Sequence, residues 1–267
     1  MSVVPIDLAA ARTAVDQVSH RVEELLRSIP DTSVPVPGLE WTAGETGAHI
    51  VTLTSWFVDY VTGRSKPPVT TAELPAFNAE RIANFTERDG TRLADHLHET
   101  VQDFLSTTSE YRGDDPFPWY DNQTIDVAAG TCILLGELVV HGRDLAGAVD
   151  RPWQIDPDHA RLTLAGMLSV LPLYVDQEEA RGVRVTYQVR VKGSPPVYLR
   201  FADSEFDVTS AQVEPVDCRI TTRRTPCVGG GRPFVFSLGV DRGSQAPVDL
   251  HASRSLTVPP VRSKAPV

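Results

Sequence analysis

The chain has 267 residues, of which 41% are hydrophobic and 22% are charged, and its formal net charge is −10. This composition is typical of a globular protein with one large domain or two ordinary ones. The acidic balance and the lack of a Lys/Arg run exclude nucleic acid as a partner. The sequence shows neither a signal-peptide pattern nor an apolar run long enough to cross a membrane. We therefore expect a cytoplasmic protein without membrane contact, either monomeric or homodimeric.

The first 150 residues show the spacing of amphipathic helices. Apolar residues three and four positions apart predict helices over roughly 7–28, 42–63, 76–87, 91–111 and 125–148. Thr42 and Glu45 form a capping-box pattern at the start of the second helix. The segment from Asp114 to Asn122, rich in proline and polar residues, is predicted to be a loop.

The character of the sequence changes near Asp150, where we predict a domain boundary. One further helix is predicted over roughly 158–175, and alternating apolar residues then predict strands at Val183–Val191 and Val197–Phe201, with weaker candidates near Phe206 and Cys218. The predicted fold class is α + (α+β), with a helical domain over 1–150, a smaller α+β domain with an antiparallel sheet over 151–258, and a disordered tail over 259–267.

Glu137 and His141 lie four residues apart on the fifth helix, so their side chains share one face, one turn apart. Their neighbours are apolar, and a buried carboxylate and imidazole require a partner. An ordinary hydrogen-bonded pair satisfies this requirement, and so does a shared metal ion. His49, among small and apolar residues of the second helix, could supply a third ligand, which would leave open positions as catalytic metal sites require.

Two neighbouring acidic residues have alternative roles. Glu45 and His49 repeat the four-residue spacing, which makes Glu45 a competing ligand, but the position of Thr42 favours a capping role. Asp144 could orient the His141 ring or pair with Arg143 as a surface charge, and the sequence leaves both open.

The three cysteines, Cys132, Cys218 and Cys227, form no C-x-x-C pair, so neither a disulfide framework nor a cysteine-rich zinc site is predicted. The glycines at 229–231 suggest a flexible loop and not a phosphate cradle, because no strand–helix context with a lysine follows. The roles of Cys227 and of this loop stay unassigned.

Three segments together resemble the mycothiol-dependent maleylpyruvate isomerase family. They are the helix start from Trp41 to His49, the Phe-Asn-Ala-Glu-Arg segment at Phe77–Arg81, and Gly136–Ala146. The resemblance covers about residues 5 to 150 and implies a DinB-like four-helix bundle, with a looser match to a sterol-carrier-like second domain. It implies that His49, Glu137 and His141 are the metal ligands. Family members often carry a Gly-Arg pair near the end of the second domain, whereas here Gly239 and Arg242 are separated.

The resemblance also implies a chemistry and a source. A divalent metal, for which zinc is the choice suited to these ligands, would activate mycothiol, the small thiol of actinobacteria, as a thiolate. Attack on an electrophilic small molecule would give either S-transfer or cis–trans isomerisation by addition and elimination. Candidate anion-binding residues for the thiol or the substrate are Arg81, Arg143 and Arg242.

Two other functions remain open from the sequence. The same ligands could serve a hydrolase in which water is the nucleophile and no thiol is needed. The chain could also be a non-catalytic protein that binds a small molecule. Nickel or iron could occupy the same ligands in place of zinc.

Overall fold

The computed structural model describes residues 4–67, 70–191, 194–203, 205–221 and 239–241. Six α-helices form most of it: α1 Leu8–Arg27, α2 Ala43–Val61, α3 Leu74–Asn84, α4 Gly90–Thr107, α5 Val127–Ala148 and α6 Pro157–Val170. They confirm the predicted helices, with differences of a few residues at the ends. No described helix combines the length and the apolar character needed to cross a membrane.

Four of these helices form a bundle around one apolar core. Helix α1 packs against α4 and α5, and α2 packs against the same two helices, so the bundle has a square cross-section. The faces that turn inward are the apolar stripes predicted from the sequence, and their large side chains, such as Trp56, Phe57, Phe104 and Leu134, are fully buried. The α1–α4 groove and the α2–α5 groove therefore lie on opposite sides of the bundle.

The start of α2 is fixed by its own sequence. The Thr42 hydroxyl accepts a hydrogen bond from the Glu45 amide at 3.2 Å, and Glu45 Oε2 accepts one from the Thr42 amide at 2.8 Å. This reciprocal pair is the predicted capping box, and it satisfies amide groups that the first turn leaves free. The cap sets where the helix begins, and His49 follows one turn after Glu45 on the inner face.

The predicted loop at 114–122 is wrong in part. Pro116–Pro118 (β1) and Thr124–Asp126 (β2) form a short antiparallel hairpin before α5. The prolines favoured the loop prediction, because a strand so rich in proline is expected only at the edge of a sheet. A two-stranded sheet is compatible with them, and Phe117 from β1 is fully buried in the bundle core.

Helix α6 lies against α5. A methyl group at Gly142 would come within 2.4 Å of the Trp153 ring, and one at Gly166 would come within 2.7 Å of Cys132 Cβ. Only glycine allows so close an approach at these two positions. The helix ends at Val170, five residues before its predicted end, and a 3-10 turn spans Leu171–Tyr174 because Pro172 has no amide hydrogen to continue the α-helical bonding.

The described strands after α6 form one five-stranded sheet in the order β5-β4-β3-β6-β7. The predicted antiparallel sheet needs one correction, because β3 and β6 pair in parallel while every other pair is antiparallel. Parallel neighbours need a longer connection, and here β4 and β5 lie between β3 and β6 in the chain. The tail at 259–267 lies outside the described residues, and the domain boundary stays a prediction. The strands are β3 Arg184–Arg190, β4 Val197–Ala202, β5 Glu205–Thr209, β6 Cys218–Thr221 and β7 Gly239–Asp241.

Candidate active site

The structure brings His49, Glu137 and His141 together in the α2–α5 groove, and we call these three residues the inner set. Glu137 Oε2 lies 3.3 Å from His141 Nε2 and 3.9 Å from His49 Nε2. One ligand atom from each residue lies within 4.8 Å of the other two. The two imidazole rings meet edge to face with their centroids 5.0 Å apart. The helical spacing of Glu137 and His141 and the packing of α2 on α5 produce this convergence.

The inner set fits a divalent metal. Ligands at about 2.0–2.2 Å from zinc in a tetrahedral arrangement lie roughly 3.3–3.5 Å apart, and the Glu137–His141 separation falls in this range while the Glu137–His49 separation is slightly longer. The His49 side chain is 5% exposed, and its Nδ1 has no hydrogen-bond partner among the described residues. Two imidazoles and one carboxylate are the donors that zinc and related ions accept.

The inner set is partly exposed to solvent on its Glu137 side. The Glu137 side chain is 33% exposed, whereas the two histidine side chains are 5% and 12% exposed. The sequence had predicted burial of all three, but α5 is not covered on every side, and Val140 is also exposed. A small molecule can therefore approach the inner set from the Glu137 side.

The pKa values of the two histidines shift in opposite directions. Burial lowers the pKa of His49, and it outweighs the neighbouring Glu137 carboxylate. Burial also disfavours the charged form of His141, but the carboxylates of Asp144 and Glu137 raise its pKa to about 9. Burial disfavours the charged form of Glu137 too, but the contacts with both histidines together outweigh it and hold the pKa of Glu137 well below its ordinary value. In the metal-free chain the inner set thus holds an ionised carboxylate beside one charged ring and one neutral ring.

The structure distinguishes between the alternative roles of the neighbouring acidic residues. Asp144 Oδ2 lies 3.3 Å from His141 Nδ1, on the ring edge away from Glu137, so it is placed to orient the ring. Among the described residues Asp144 forms no ion pair with Arg143. Glu45 is engaged with the Thr42 amide and hydroxyl in the capping box and does not join the inner set.

Aromatic side chains form the walls of the site. The Trp41 ring lies 4.8 Å from the His49 ring and 6.3 Å from the His141 ring. Tyr174, in the 3-10 turn after α6, accepts a hydrogen bond from Trp119 Nε1 at 3.0 Å. Burial and the neighbouring charges, Glu137 included, raise the pKa of Tyr120 above its ordinary range. Sequence reasoning missed these wall residues because they come from three distant segments and share no spacing pattern.

Arg81 lies on α3 and packs against α2, the helix that carries His49. Its guanidinium carbon is 4.5 Å from the centre of the Trp56 ring and 5.5 Å from that of Phe77. Among the described residues Arg81 has no ion-pair partner, and its Nε and the Tyr60 hydroxyl are buried without hydrogen bonds. Tyr60 is an electrostatic neighbour of both Arg81 and Tyr120, and Tyr120 is in turn an electrostatic neighbour of Glu137. Arg143 is partly exposed next to His141 and Asp144, and Arg242 lies outside the described residues.

The described cysteines lie apart from the inner set. Cys132 is fully buried between α5 and α6, and burial raises the pKa of its thiol to about 12. Such a thiol is not ionised at neutral pH and does not react as a nucleophile. Cys218 lies on β6 in the sheet, and Cys227 and residues 229–231 lie outside the described residues.

Comparison with known proteins finds a family model that matches this chain and solved structures with a similar fold. The family model of the mycothiol maleylpyruvate isomerase N-terminal domain matches residues 11–146. The chain is similar to the crystal structure of the mycothiol-dependent maleylpyruvate isomerase, with a TM-score of 0.50 and 12% identity over 81% of this chain and 85% of that chain. A mutant of that enzyme gives a TM-score of 0.49 and 13% identity with the same coverage. No curated protein matches the chain. The predicted fold class is confirmed.

Proposed function

We propose that this chain, which belongs to the mycothiol maleylpyruvate isomerase family and is an enzyme of that family, isomerises an unsaturated carboxylate with mycothiol as cosubstrate. The reaction takes place at the inner set. The observation that carries the proposal is the convergence of two imidazole Nε2 atoms on one carboxylate oxygen, in a site with aromatic walls and an open side. This arrangement supports a metal centre that serves a small thiol.

His49, Glu137 and His141 would hold the metal, and zinc suits their nitrogen and oxygen donors. A bound divalent metal would favour the thiolate of a small thiol at neutral pH, where a free thiol with a pKa near 8.5 is mostly protonated. Neither described cysteine supplies this thiol to the inner set, because Cys132 is buried with a raised pKa and Cys218 lies on β6 in the sheet. This agrees with a separate thiol such as the one named in the family description.

The reaction needs no net consumption of the thiol. The thiolate sulfur adds to one carbon of a cis double bond that is conjugated to a carbonyl group, and the electron pair moves onto the carbonyl oxygen. The former double bond is now single and rotates. The electron pair then returns to form the trans double bond, and the carbon–sulfur bond breaks to release the thiolate. If a proton trapped the adduct before this release, the product would be a thioether, which is the outcome of an S-transferase.

Arg81 supplies the anion-binding group in this proposal. Its guanidinium is always charged, is held against two aromatic rings, and has no ion-pair partner among the described residues. A carboxylate at this position would satisfy the buried Arg81 Nε and the Tyr60 hydroxyl, neither of which has a hydrogen-bond partner among the described residues. The carboxylate would belong to the substrate, and kinetics in each ligand tests this. Arg143 keeps a secondary place as a candidate because it borders the inner set.

The test is turnover of maleylpyruvate by the zinc-loaded chain, with and without mycothiol, for wild type, Arg81→Ala and Arg81→Lys. We expect no turnover without the thiol and recovery of the thiol unchanged. Arg81→Ala should raise the KM of the carboxylate-bearing ligand about 10–100-fold, as expected for loss of a charged hydrogen bond of about 1.5–3 kcal/mol, and Arg81→Lys should recover part of the loss. Thr13→Ala, on the outer surface of α1, is the control that should match wild type.

Each other outcome points to a different function. Thiol-independent turnover of an ester would support a hydrolase that uses water. Consumption of one thiol for each product molecule would support S-transfer. Ligand binding without turnover under any of these conditions would contradict the proposal and leave a binding protein.

A further inference from the structure

A second group of two histidines and one glutamate lies across the α1–α4 groove, on the side of the bundle opposite the inner set. His20 and Glu23 are three residues apart on α1, and His98 is on α4. One ligand atom from each lies within 4.8 Å of the other two. The His98 Nδ1 atom is 3.4 Å from Glu23 Oε1, and the two imidazole rings meet edge to face at 5.8 Å. We call these three residues the outer set.

Glu23 is unusual because it is a charged residue whose side chain is almost completely buried. Its side chain is only 5% exposed, and its Oε1 has no hydrogen-bond partner among the described residues. Its other oxygen lies 3.6 Å from Arg27. A buried carboxylate oxygen without a hydrogen bond is costly, and a cation in front of it would remove that cost. Oε1 points at His98, so the space that such a cation would occupy is bordered by the two imidazoles.

The histidines are arranged to accept an ion. His20 Nδ1 lies 2.7 Å from the carbonyl oxygen of Asp16, and since a carbonyl can only accept, this ring nitrogen carries the proton. The hydrogen bond orients the ring and leaves Nε2 with a free lone pair, as is usual for metal-bound histidines. His98 presents Nδ1 toward Glu23. Both rings are about half exposed, so an ion from solvent can reach them.

We propose that His20, Glu23 and His98 form a second binding site for a divalent transition metal of the zinc type. Two imidazoles with one carboxylate select zinc and its neighbours over calcium or magnesium, which prefer oxygen ligands. The bound ion joins α1 to α4, two helices that are distant in the sequence. Because the unfolded chain lacks a preformed site, binding stabilises the folded bundle.

The test is calorimetric titration of the chelator-treated full chain with Zn²⁺. We expect two binding events in wild type, one in His98→Asn and one in His49→Ala, with none at comparable affinity when both substitutions are combined. The affinity of the outer set for zinc should fall more than about 100-fold in His98→Asn. Loss of a residue that only supports a metal ligand already costs about 10–100-fold, and His98 is itself a proposed ligand. In the His49→Ala chain, Zn²⁺ should raise the unfolding temperature, and adding His98→Asn should abolish that rise.

His96→Asn is the matched control. His96 is on the same helix, its side chain is 46% exposed against 47% for His98, and it also has a carboxylate neighbour, Glu99, at 3.7 Å. It should keep both binding events. Equal zinc stoichiometry and affinity in His98→Asn and His96→Asn would overturn the proposal. His20→Gln, which removes a different ligand, should reproduce the loss, and retention of both events in that variant would also contradict it. Circular dichroism of each metal-free variant verifies that the bundle is folded.

Discussion

The inner and outer sets contain the same three side-chain types but are buried in opposite ways. In the inner set the histidine side chains are 5% and 12% exposed, and the carboxylate of Glu137 is the open group at 33%. In the outer set Glu23 is 5% exposed, and the histidine side chains are 51% and 47% exposed. The residue types alone therefore do not decide what each group does.

The surroundings of the two sets suggest different roles. The inner set has Trp41 against its rings, and Arg81 over Trp56 has no ion-pair partner among the residues that the structure describes, so we propose that a ligand is held by stacking and by charge while it reacts. The outer set opens directly to solvent, and the charged side chains near it, Asp16 and Arg27, are paired with Gln102 and Asp95. We therefore assign chemistry to the inner set and helix cross-linking to the outer one.

Removal of one carboxylate from each set gives the largest expected difference. Glu137→Gln should lose the zinc of the inner set and reduce kcat/KM more than about 100-fold. Loss of a residue that only supports a metal ligand costs about 10–100-fold, and loss of a ligand should cost more. Glu23→Gln should lose only the outer zinc. Glu99→Gln, an exposed change on α4 outside both sets, should keep both ions and turnover. Zinc content by elemental analysis and thiol-dependent turnover are the two measurements. Full turnover in Glu137→Gln would contradict the assignment of chemistry to the inner set.

Asp144→Asn separates orientation of the His141 ring from its protonation. In the metal-free chain His141 is protonated below its pKa of about 9, so zinc must displace a proton and its affinity should rise about tenfold per pH unit up to that value. Asp144 contributes to the raised pKa of His141. In Asp144→Asn that pKa falls, so the rise in affinity should level off at a lower pH.

Above the His141 pKa the proton no longer competes, and only the loss of the orienting partner remains. There the Asp144→Asn variant should bind zinc about 10–100-fold more weakly than wild type. Asp207→Asn, which removes an exposed carboxylate paired with Arg200 in the sheet, should follow the wild-type curve. Titrations at a series of pH values give both quantities. A variant curve parallel to wild type at every pH would show that Asp144 does not act on the protonation of His141.

The sequence predicts the inner set better than the outer set for a physical reason. Apolar neighbours along α2 and α5 mark His49 and His141 as inward-facing, and the Glu137–His141 spacing places two ligands on one face. His20 and His98 have polar neighbours in the sequence, which is typical of surface residues, and both side chains are about half exposed. What the sequence does not contain is the pairing of α1 with α4, which depends on the packing of the whole bundle. Glu23 is likewise charged, so its burial is visible only in the structure.

The same distinction between local and tertiary information holds for the fold. The capping box at Thr42 and Glu45 and the helical spacings are local, and they were predicted within a few residues. The β1–β2 hairpin and the parallel pairing of β3 with β6 depend on contacts between distant segments, and the sequence patterns did not specify them. The position of Arg81 over Trp56 joins α3 to α2 and belongs to the same class.

Thr42→Ala gives the smallest expected effect, and it tests whether the second Glu-x-x-x-His pair, Glu45 and His49, is rightly left out of the metal site. Loss of the N-cap should lower the free energy of unfolding by about 1 kcal/mol and leave the zinc content unchanged, because Glu45 serves the cap and not the metal.

The Thr42 hydrogen bonds hold the pKa of Glu45 below its ordinary value. Thr42→Ala keeps the amide bond to the Glu45 carboxylate and loses only the hydroxyl bond to it. The stabilisation from that hydroxyl bond is present at neutral pH and is lost as the pH falls through the lowered pKa, so its share of the difference from wild type should disappear on acidification. Urea unfolding at several pH values measures this difference, with Thr13→Ala as the control because its hydroxyl bonds only the Ala9 carbonyl of its own helix. A gain or loss of zinc in Thr42→Ala would return Glu45 to the list of candidate ligands.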